Sequence, residues 1–207
     1  MKVLLINGSP NSNGCTYTAL CEVSKSLNKQ DIDTEIIQVG NKDIRGCIAC
    51  RKCKTSGDGK CVFNDLVNEV SPKFVECDGI VIGSPVYFSS PNGTLLSFID
   101  RLFYSASCDK TMKVGASVVS ARRAGTTATF DVLNKYFTIS GMPIASSQYW
   151  NAVHGYTAED VEADAEGTQT MRVLGNNMAF LLKSIALGKE KFGLPEKETR
   201  VFTNFIR

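Results

Sequence analysis

Short runs of apolar residues alternate with longer segments in which apolar residues recur every three or four positions. Apolar side chains dominate residues 2–7 and 79–83 without alternation, which is typical of strands buried on both faces of a sheet. Further strands are predicted at 34–39, 113–120 and 143–149. Helical spacing predicts helices at 16–27, at 64–74 with an interruption near Pro72, and at 95–103, 126–139 and 168–187. This alternation predicts an α/β fold, a parallel sheet with helices on both faces.

The whole chain, residues 1–207, is expected to form one domain with a polar, cysteine-rich loop at 41–61. No linker long enough to divide it is visible, and a hydrophobic content of 43% is ordinary for a globular protein. The 23 basic and 21 acidic residues give a net charge of +2, which offers no electrostatic reason to bind nucleic acid or an anionic membrane. Neither partner is therefore expected.

The beginning of the chain does not resemble a targeting segment. Its apolar stretch is too short for a signal peptide and is followed at once by Asn7-Gly8-Ser9-Pro10. No apolar run reaches the roughly 18 residues that a membrane span needs. A cytoplasmic location is expected.

The loop between the first predicted strand and helix is rich in glycine and hydroxyl side chains. In a doubly wound sheet this loop lies beyond the carboxyl ends of the strands, and its amides and the following helix N-terminus favour an anion. The composition predicts a phosphate cradle, although a plain turn capped by Ser or Asn has a similar composition. The candidate phosphate-binding residues are Ser9, Pro10, Asn11, Asn13, Gly14, Cys15 and Thr16.

Two other phosphate-binding motifs are absent from the sequence. No lysine follows Gly14, so the chain lacks G-x-x-x-x-G-K-[ST] and nucleoside triphosphate chemistry is not expected. G-x-G-x-x-G is also missing, so the sequence does not choose between NADH and NADPH.

The sequence resembles the NADPH-dependent FMN reductases of the flavodoxin-like superfamily in two places. Gly8-Ser9-Pro10 ends the first strand and leads through a Gly/Asn/Ser loop to Thr16. Later in the chain stand Gly83-Ser84-Pro85-Val86-Tyr87-Phe88, Asn92-Gly93-Thr94-Leu95 and Phe98-Ile99-Asp100-Arg101, similar to the family's second flavin loop and the helix after it.

This resemblance implies a flavodoxin-like, five-stranded parallel sheet of order 2-1-3-4-5, FMN as cofactor and NAD(P)H as co-substrate. It also implies a homodimer or homotetramer, because relatives build their pockets between subunits. Members often carry a basic residue at the place of Asn11 and an Asn at the place of Cys15. Phosphate affinity is therefore expected from amides, hydroxyls and the helix dipole.

Two further loops on the same rim are predicted to surround the flavin ring. Apolar side chains after the third strand offer walls for an isoalloxazine, unless Tyr87 and Phe88 only cover the sheet edge. After the fourth strand, Arg122 or Arg123 can offset charge on a reduced flavin or meet a nicotinamide cofactor's phosphates, unless both are merely solvated. The candidate ring-binding residues are Pro85, Val86, Tyr87, Phe88, Asn92, Ser120, Ala121, Arg122, Gly125 and Thr126.

Four of the eight cysteines, Cys47, Cys50, Cys53 and Cys61, lie within fifteen residues. In a reducing compartment such a cluster indicates metal ligation or redox chemistry before disulfides. Successive +3 spacing suits a [4Fe–4S] cluster better than zinc, whose ribbons usually contain two separated CxxC pairs. The loop 41–61 carries six basic and two acidic side chains, a net +4 that would offset an anionic cluster.

The same spacing resembles that of iron–sulfur flavoproteins, in which cysteines hold a [4Fe–4S] cluster beside FMN and electrons pass from FMN to the cluster. A reductase that keeps the cysteines without a cluster, and a zinc site, are open alternatives. Cys21, Cys77 and Cys108 lack ligand spacing and are predicted to be ordinary thiols.

The segment after the fifth predicted strand contains the only Trp and the only His of the chain, Trp150 and His154. One interpretation is that Tyr149 and Trp150 close the flavin pocket while His154 orients a substrate or stabilises reduced flavin. The alternative is an interface tryptophan and a structural loop histidine. The acidic run that follows is predicted to be a solvated helix face whose start is capped by Thr157 and Asp160.

Together these features predict an FMN-dependent oxidoreductase that passes a hydride from NAD(P)H to FMN and then electrons to a quinone, a free flavin, another small acceptor or a redox protein. No catalytic side chain is assigned, because the flavin carries the chemistry. The main alternative is an electron carrier with the cluster on the four cysteines. A flavodoxin shuttle fits less well, since shuttles tend to be strongly acidic, and a redox-sensing module is a third alternative.

Overall fold

The computed structural model describes residues 1–203 and 205. Its strands are β1 (Lys2–Asn7), β2 (Asp33–Gln38), β3 (Gly79–Tyr87), β4 (Ser90–Pro91), β5 (Val114–Ala121) and β6 (Ala152–His154). The sheet order is β2-β1-β3-β5-β6, and the two-residue β4 pairs antiparallel with the end of β3. Without β4, the five parallel strands follow the order 2-1-3-4-5, so the predicted flavodoxin-like fold is confirmed.

Seven helices of the described residues flank or follow the sheet. They are α1 (Cys15–Asn28), α2 (Lys52–Thr55), α3 (Leu66–Glu76), α4 (Gly93–Ser105), α5 (Thr126–Ile139), α6 (Ala158–Ala163) and α7 (Ala165–Phe192). The cysteine-rich segment contains only the single turn α2, in agreement with the predicted loop.

The core lies on both faces of the sheet, and β1 shows why. Leu4 and Ile6 pack with residues of α3, α4 and α5, whereas Val3 and Leu5 pack with residues of α1 and α7. All four side chains are fully buried. A strand with apolar residues on both faces needs cover on both sides, which explains the three-layer arrangement.

The last strand differs from the prediction, and a continuous strand over 143–149 is wrong. The backbone touches β5 briefly, where the Ala145 amide donates to the Gly115 carbonyl at 2.8 Å. The chain then leaves the sheet because its polar residues bind α7 instead; Ser147 Oγ donates to the Thr170 carbonyl at 2.7 Å. Pairing resumes only in β6.

Pro72 does not interrupt its helix, contrary to the expectation from sequence. The helix α3 runs unbroken past this residue. Its apolar face, formed by Val67, Val70 and Phe74, is buried against the sheet and α4. This packing outweighs the hydrogen bond that the proline cannot donate.

Phe74 offers a test of this core. Its ring is fully buried and lies 5.1 Å from the ring of Phe103, centroid to centroid. Phe74→Ala is expected to lower the free energy of unfolding by about 3–5 kcal/mol, because it removes apolar contacts and leaves a cavity. Chemical denaturation measures the change. Phe192→Ala is the matched control, since Phe192 is 80% exposed; an equal loss in both variants would contradict the assignment.

Candidate functional site

The loop after β1 is shaped by two polar residues at the ends of neighbouring strands. Asn7 is fully buried; its Oδ1 accepts from the Ser9 amide at 3.1 Å and its Nδ2 donates to Gln38 Oε1 at 2.6 Å. Gln38 Nε2 in turn donates to the Ser9 carbonyl at 2.7 Å. Ser9 Oγ accepts from the Asn11 amide at 3.1 Å. Neither Asn7 nor Gln38 was predicted from the sequence as a site residue, yet both hold this loop.

The same loop leaves a group of main-chain donors free. Gly14 caps α1 without a side chain, and among the described residues the amides of 15–17 find no acceptor. The amides of Ser12 and Asn13 have none either within that part of the chain. Free amides at a helix N-terminus form the anion site that sequence analysis predicts here.

Thr16 and Cys15, the first residues of α1, make contacts with other segments of the chain. The Thr16 and Ser120 hydroxyls lie 2.8 Å apart, which joins the first loop to the end of β5. Cys15 Sγ donates to the Thr157 carbonyl at 3.2 Å. Burial raises the pKa of the Cys15 thiol, so it remains protonated and contributes as a hydrogen-bond donor.

The second loop is a tight hairpin between β3 and β4. Phe88 and Ser89 occupy its turn with φ of +49° and +58°, a conformation that few side chains adopt. Phe88 is fully exposed at the tip and Tyr87 is 44% exposed, whereas Pro85 and Val86 lie further inside. Pro85 and Val86 thus line the sheet edge, while Phe88 extends away from it.

Asn92 has a structural task at the start of α4. Its Oδ1 accepts from the amides of Thr94 and Leu95 at 2.8 and 3.2 Å, and its own amide donates to Ser84 Oγ at 3.0 Å. These bonds fix where the helix leaves the hairpin. Its contact with flavin stays a prediction.

The third loop follows β5 and packs on the second. Gly125 has φ of +90°, and a Cβ there would lie 2.9 Å from Val86 Cγ1 and Ser89 Oγ. Ser120 and Ala121 are buried, Arg122 is exposed, and Thr126 begins α5. The predicted phosphate-binding and ring-binding residues therefore come from three loops joined at one edge of the sheet.

A pocket beside these loops contains the aromatic segment before β6. Tyr149, Trp150 and His154 line it with Thr126 and Thr127 of α5 and the start of α7. The Tyr149 and Trp150 rings are half exposed or more, with centroids 5.1 Å apart. The segment therefore lies beside the third loop, and its contact with a flavin stays a prediction.

All four cysteines of the motif line one pocket. Cys47 and Cys50 are exposed, whereas Cys53 and Cys61 are partly buried. The backbone bends sharply between them. Ala49 and Arg51 have φ of +53° and +59°. The pocket walls are completed by Ile48, Arg51, Val62, Phe63, Arg101, Tyr104 and Ser105.

The donor set of this pocket fits a cluster with thiolate ligands. Ser105 Oγ is buried in its wall without a hydrogen-bond partner among the described residues, and Arg101 Nε donates to Cys61 Sγ at 3.2 Å. Burial raises the pKa of the Cys53 thiol, so that ligation there requires a cation to displace the proton. As the described residues stand, no three or more His, Cys, Asp or Glu side chains, the four cysteines included, are grouped closely enough to hold a metal ion.

Comparison with known proteins decides the family. The model of the family described as NADPH-dependent FMN reductase matches residues 1–157. The chain belongs to this family. Family membership makes it an FMN-binding flavoprotein oxidoreductase.

Its relatives carry the name iron–sulfur flavoprotein. One from Methanocaldococcus jannaschii is 33% identical over 193 residues, covering 89% of this chain and 99% of the relative. Another from Methanosarcina thermophila is 25% identical over 195 residues, covering 92% of this chain and all of the relative. Among solved structures, RosB with a bound riboflavin-phosphate intermediate aligns with a TM-score of 0.69 at 16% identity, covering 100% of this chain and 94% of RosB. This last likeness shows the fold.

Within the described residues, no helix combines the length and the apolar character needed to cross a membrane.

The close approach of Gly40 to the first loop gives a test of the phosphate cradle. A Cβ on Gly40 would lie 2.2 Å from the Gly8 carbonyl oxygen and 2.3 Å from the Ser9 carbonyl carbon. Gly40→Ala is expected to displace the loop and weaken FMN binding by roughly tenfold, or about 1.4 kcal/mol. Fluorescence titration of the apoprotein with FMN measures the effect. Gly188→Ala is the control, because nothing lies within 4 Å of its added methyl group; unchanged affinity in Gly40→Ala would contradict this role.

Proposed function

We propose that this chain is an electron-transferring FMN oxidoreductase whose four-cysteine pocket holds a [4Fe–4S] cluster. The observation that carries the proposal is the convergence of Cys47, Cys50, Cys53 and Cys61 on one pocket of a chain whose fold is flavodoxin-like. The names of the relatives support the same assignment. When bound, FMN supplies hydride acceptance and one-electron chemistry, and the cluster supplies one-electron transfer.

The residues proposed to hold FMN divide the work between phosphate and ring. The free amides of 12–13 and 15–17 and the hydroxyls of the first loop bind the phosphate without a lysine or arginine. Pro85 and Val86 provide apolar surface for the ring, and Gly125 lets the third loop approach. Arg122 is exposed and is proposed to face negative charge on the flavin or a nicotinamide cofactor.

The cysteine pocket has features that suit an anionic cluster. Its walls are mostly apolar, with Ile48, Val62 and Tyr104 beside the thiols. Basic residues surround it, including Lys54, whose ammonium lies 4.6 Å from the centre of the Tyr104 ring. Apolar walls limit access of water, and positive charge favours thiolate ligands over thiols.

NAD(P)H as hydride donor is the second part of the proposal. The description of the matching family, NADPH-dependent FMN reductase, supports it. The pocket of Tyr149, Trp150 and His154 lies beside the third loop and gives a flat aromatic cofactor or acceptor a place to bind. Electrons then leave to a small acceptor or a redox protein. A cytoplasmic homodimer or homotetramer remains part of the proposal.

Replacement of one cysteine tests the cluster. Cys50→Ser is expected to lose most of the iron and sulfide of anaerobically purified protein and to retain FMN, because Cys50 is exposed and no residue of the proposed flavin loops lines its pocket. Iron, sulfide and flavin analyses measure this. Cys108→Ser is the matched control, since its thiol lies outside the pocket. Iron-free wild-type protein, or a full iron content in Cys50→Ser, would exclude the assignment.

Anaerobic mixing with NADH and NADPH tests the hydride donor. At least one is expected to bleach the flavin absorbance within seconds, and Cys50→Ser should respond like the wild type because the flavin loops do not include the cysteine pocket. Stopped-flow absorbance measures both. If dithionite bleaches the flavin but neither NADH nor NADPH does, the proposed nicotinamide donor is overturned. Electron transfer without a nicotinamide donor would then be left.

A further inference from the structure

Arg101 is a buried cation on the mostly apolar buried face of its helix. It belongs to α4, and none of its side chain is exposed to solvent. Burial of a guanidinium is costly unless its charge is paired and its donors are bonded. The surroundings of Arg101 must therefore provide an opposite charge and acceptors for its N–H groups.

All five N–H donors of Arg101 have acceptors. Nε donates to Cys61 Sγ at 3.2 Å. Nη1 donates to the Arg45 carbonyl at 3.1 Å and to Asp65 Oδ2 at 2.7 Å. Nη2 donates to the Phe63 carbonyl at 3.4 Å and to Asp65 Oδ1 at 2.9 Å. The guanidinium carbon also lies 5.0 Å from the centre of the Phe63 ring. The donor capacity of the side chain is filled.

These bonds connect both ends of the cysteine segment. Arg45 precedes Cys47, whereas Cys61 ends the segment and Phe63 follows it, so one guanidinium fixes the chain both where it enters and where it leaves the pocket. Asp65 is also the N-cap of α3, with its Oδ1 accepting from the Val67 amide at 3.1 Å. The pocket is thereby tied to α3 and α4.

The bond to sulfur is different in kind from the others. Asp65 offsets most of the positive charge through a paired, two-point contact, but Nε–H remains directed at Cys61 Sγ. A hydrogen bond to a cluster thiolate favours the reduced, more negative form and raises the reduction potential.

We infer that Arg101 is a positioning residue that holds Cys61 as the fourth cluster ligand and raises the reduction potential of the cluster through its Nε–H···Sγ bond. The inference rests on the proposed cluster and adds to it the residue that sets its potential.

The test separates the effect of the positive charge of Arg101 from the effect of its hydrogen bond to Cys61 Sγ. Full-length wild type, Arg101→Lys, Arg101→Gln, Asp65→Asn and Arg45→Gln are purified anaerobically. Iron and FMN contents are measured, and the cluster potential is determined by EPR-monitored titration. Arg45→Gln is the matched control, because its guanidinium lies 5.4 Å from the same Phe63 ring and donates no bond to sulfur.

The reduction potential of the cluster is expected to fall in the Arg101 variants and to rise in Asp65→Asn. Arg101→Gln should make the equilibrium constant for cluster reduction roughly tenfold smaller, a fall of about 59 mV for one electron. Arg101→Lys should lower the potential by less, since lysine keeps the positive charge but lacks the planar guanidinium donor. Asp65→Asn should shift it upward, because it removes the offsetting negative charge and retains a capping oxygen. Arg45→Gln should stay within about twofold of wild type.

Several outcomes would overturn the inference. If both Arg101 variants keep iron and the wild-type potential, or if Asp65→Asn falls together with them, the bond does not set the potential. Loss of FMN as well as iron in Arg101→Gln would indicate misfolding of that variant. The inference is then decided by whether the cluster potential falls in Arg101→Lys and rises in Asp65→Asn. An iron-free wild type that retains FMN would instead overturn the proposed cluster.

Discussion

The parallel register of β1, β3 and β5 determines where the three loops of the candidate flavin site begin. Asn7 lies opposite Gly83, and Pro85 lies opposite Ser120, so the strands end side by side and release their loops at one edge. The Gly8 amide extends the ladder by donating to the Gly83 carbonyl at 2.9 Å. A slip of one residue would turn each buried side chain to the opposite face, so the core that fixes the register also fixes the site.

The helix α4 runs from the hairpin of the candidate flavin site to the cysteine pocket. It begins beside the hairpin, where Asn92 caps it, and its last turns provide Arg101 and Ser105 to the cysteine pocket. The nine residue-to-residue steps from Asn92 to Arg101 correspond to about 14 Å along the helix axis. Because Leu95, Phe98, Ile99 and Leu102 are fully buried, the helix keeps this separation constant.

Sequence patterns predicted the parts of the fold in which the burial of apolar side chains contributes most of the stability. The runs around Leu4 and Val81 could only be strands covered on both faces, and the loops after them followed from topology. The last strand was misplaced because apolar and aromatic residues at 143–149 imitate a strand, whereas Pro143 lacks an amide proton and Ser147 has a partner on α7. The burial of Arg101, which the sequence showed only as part of a family motif, was not predicted, because an arginine within a helical repeat ordinarily lies in solvent and only the fold reveals the acceptors around it.

The interrupted edge strand at β6 has a consequence for self-association of the molecule. Where the chain could have offered a long row of unsatisfied amides and carbonyls, it offers the three residues of β6 and a detour that bonds to α7. Short, interrupted borders are poor templates for recruiting another polypeptide into a growing fibre. The same detour that misleads sequence inspection thus protects this side of the sheet against unwanted self-assembly.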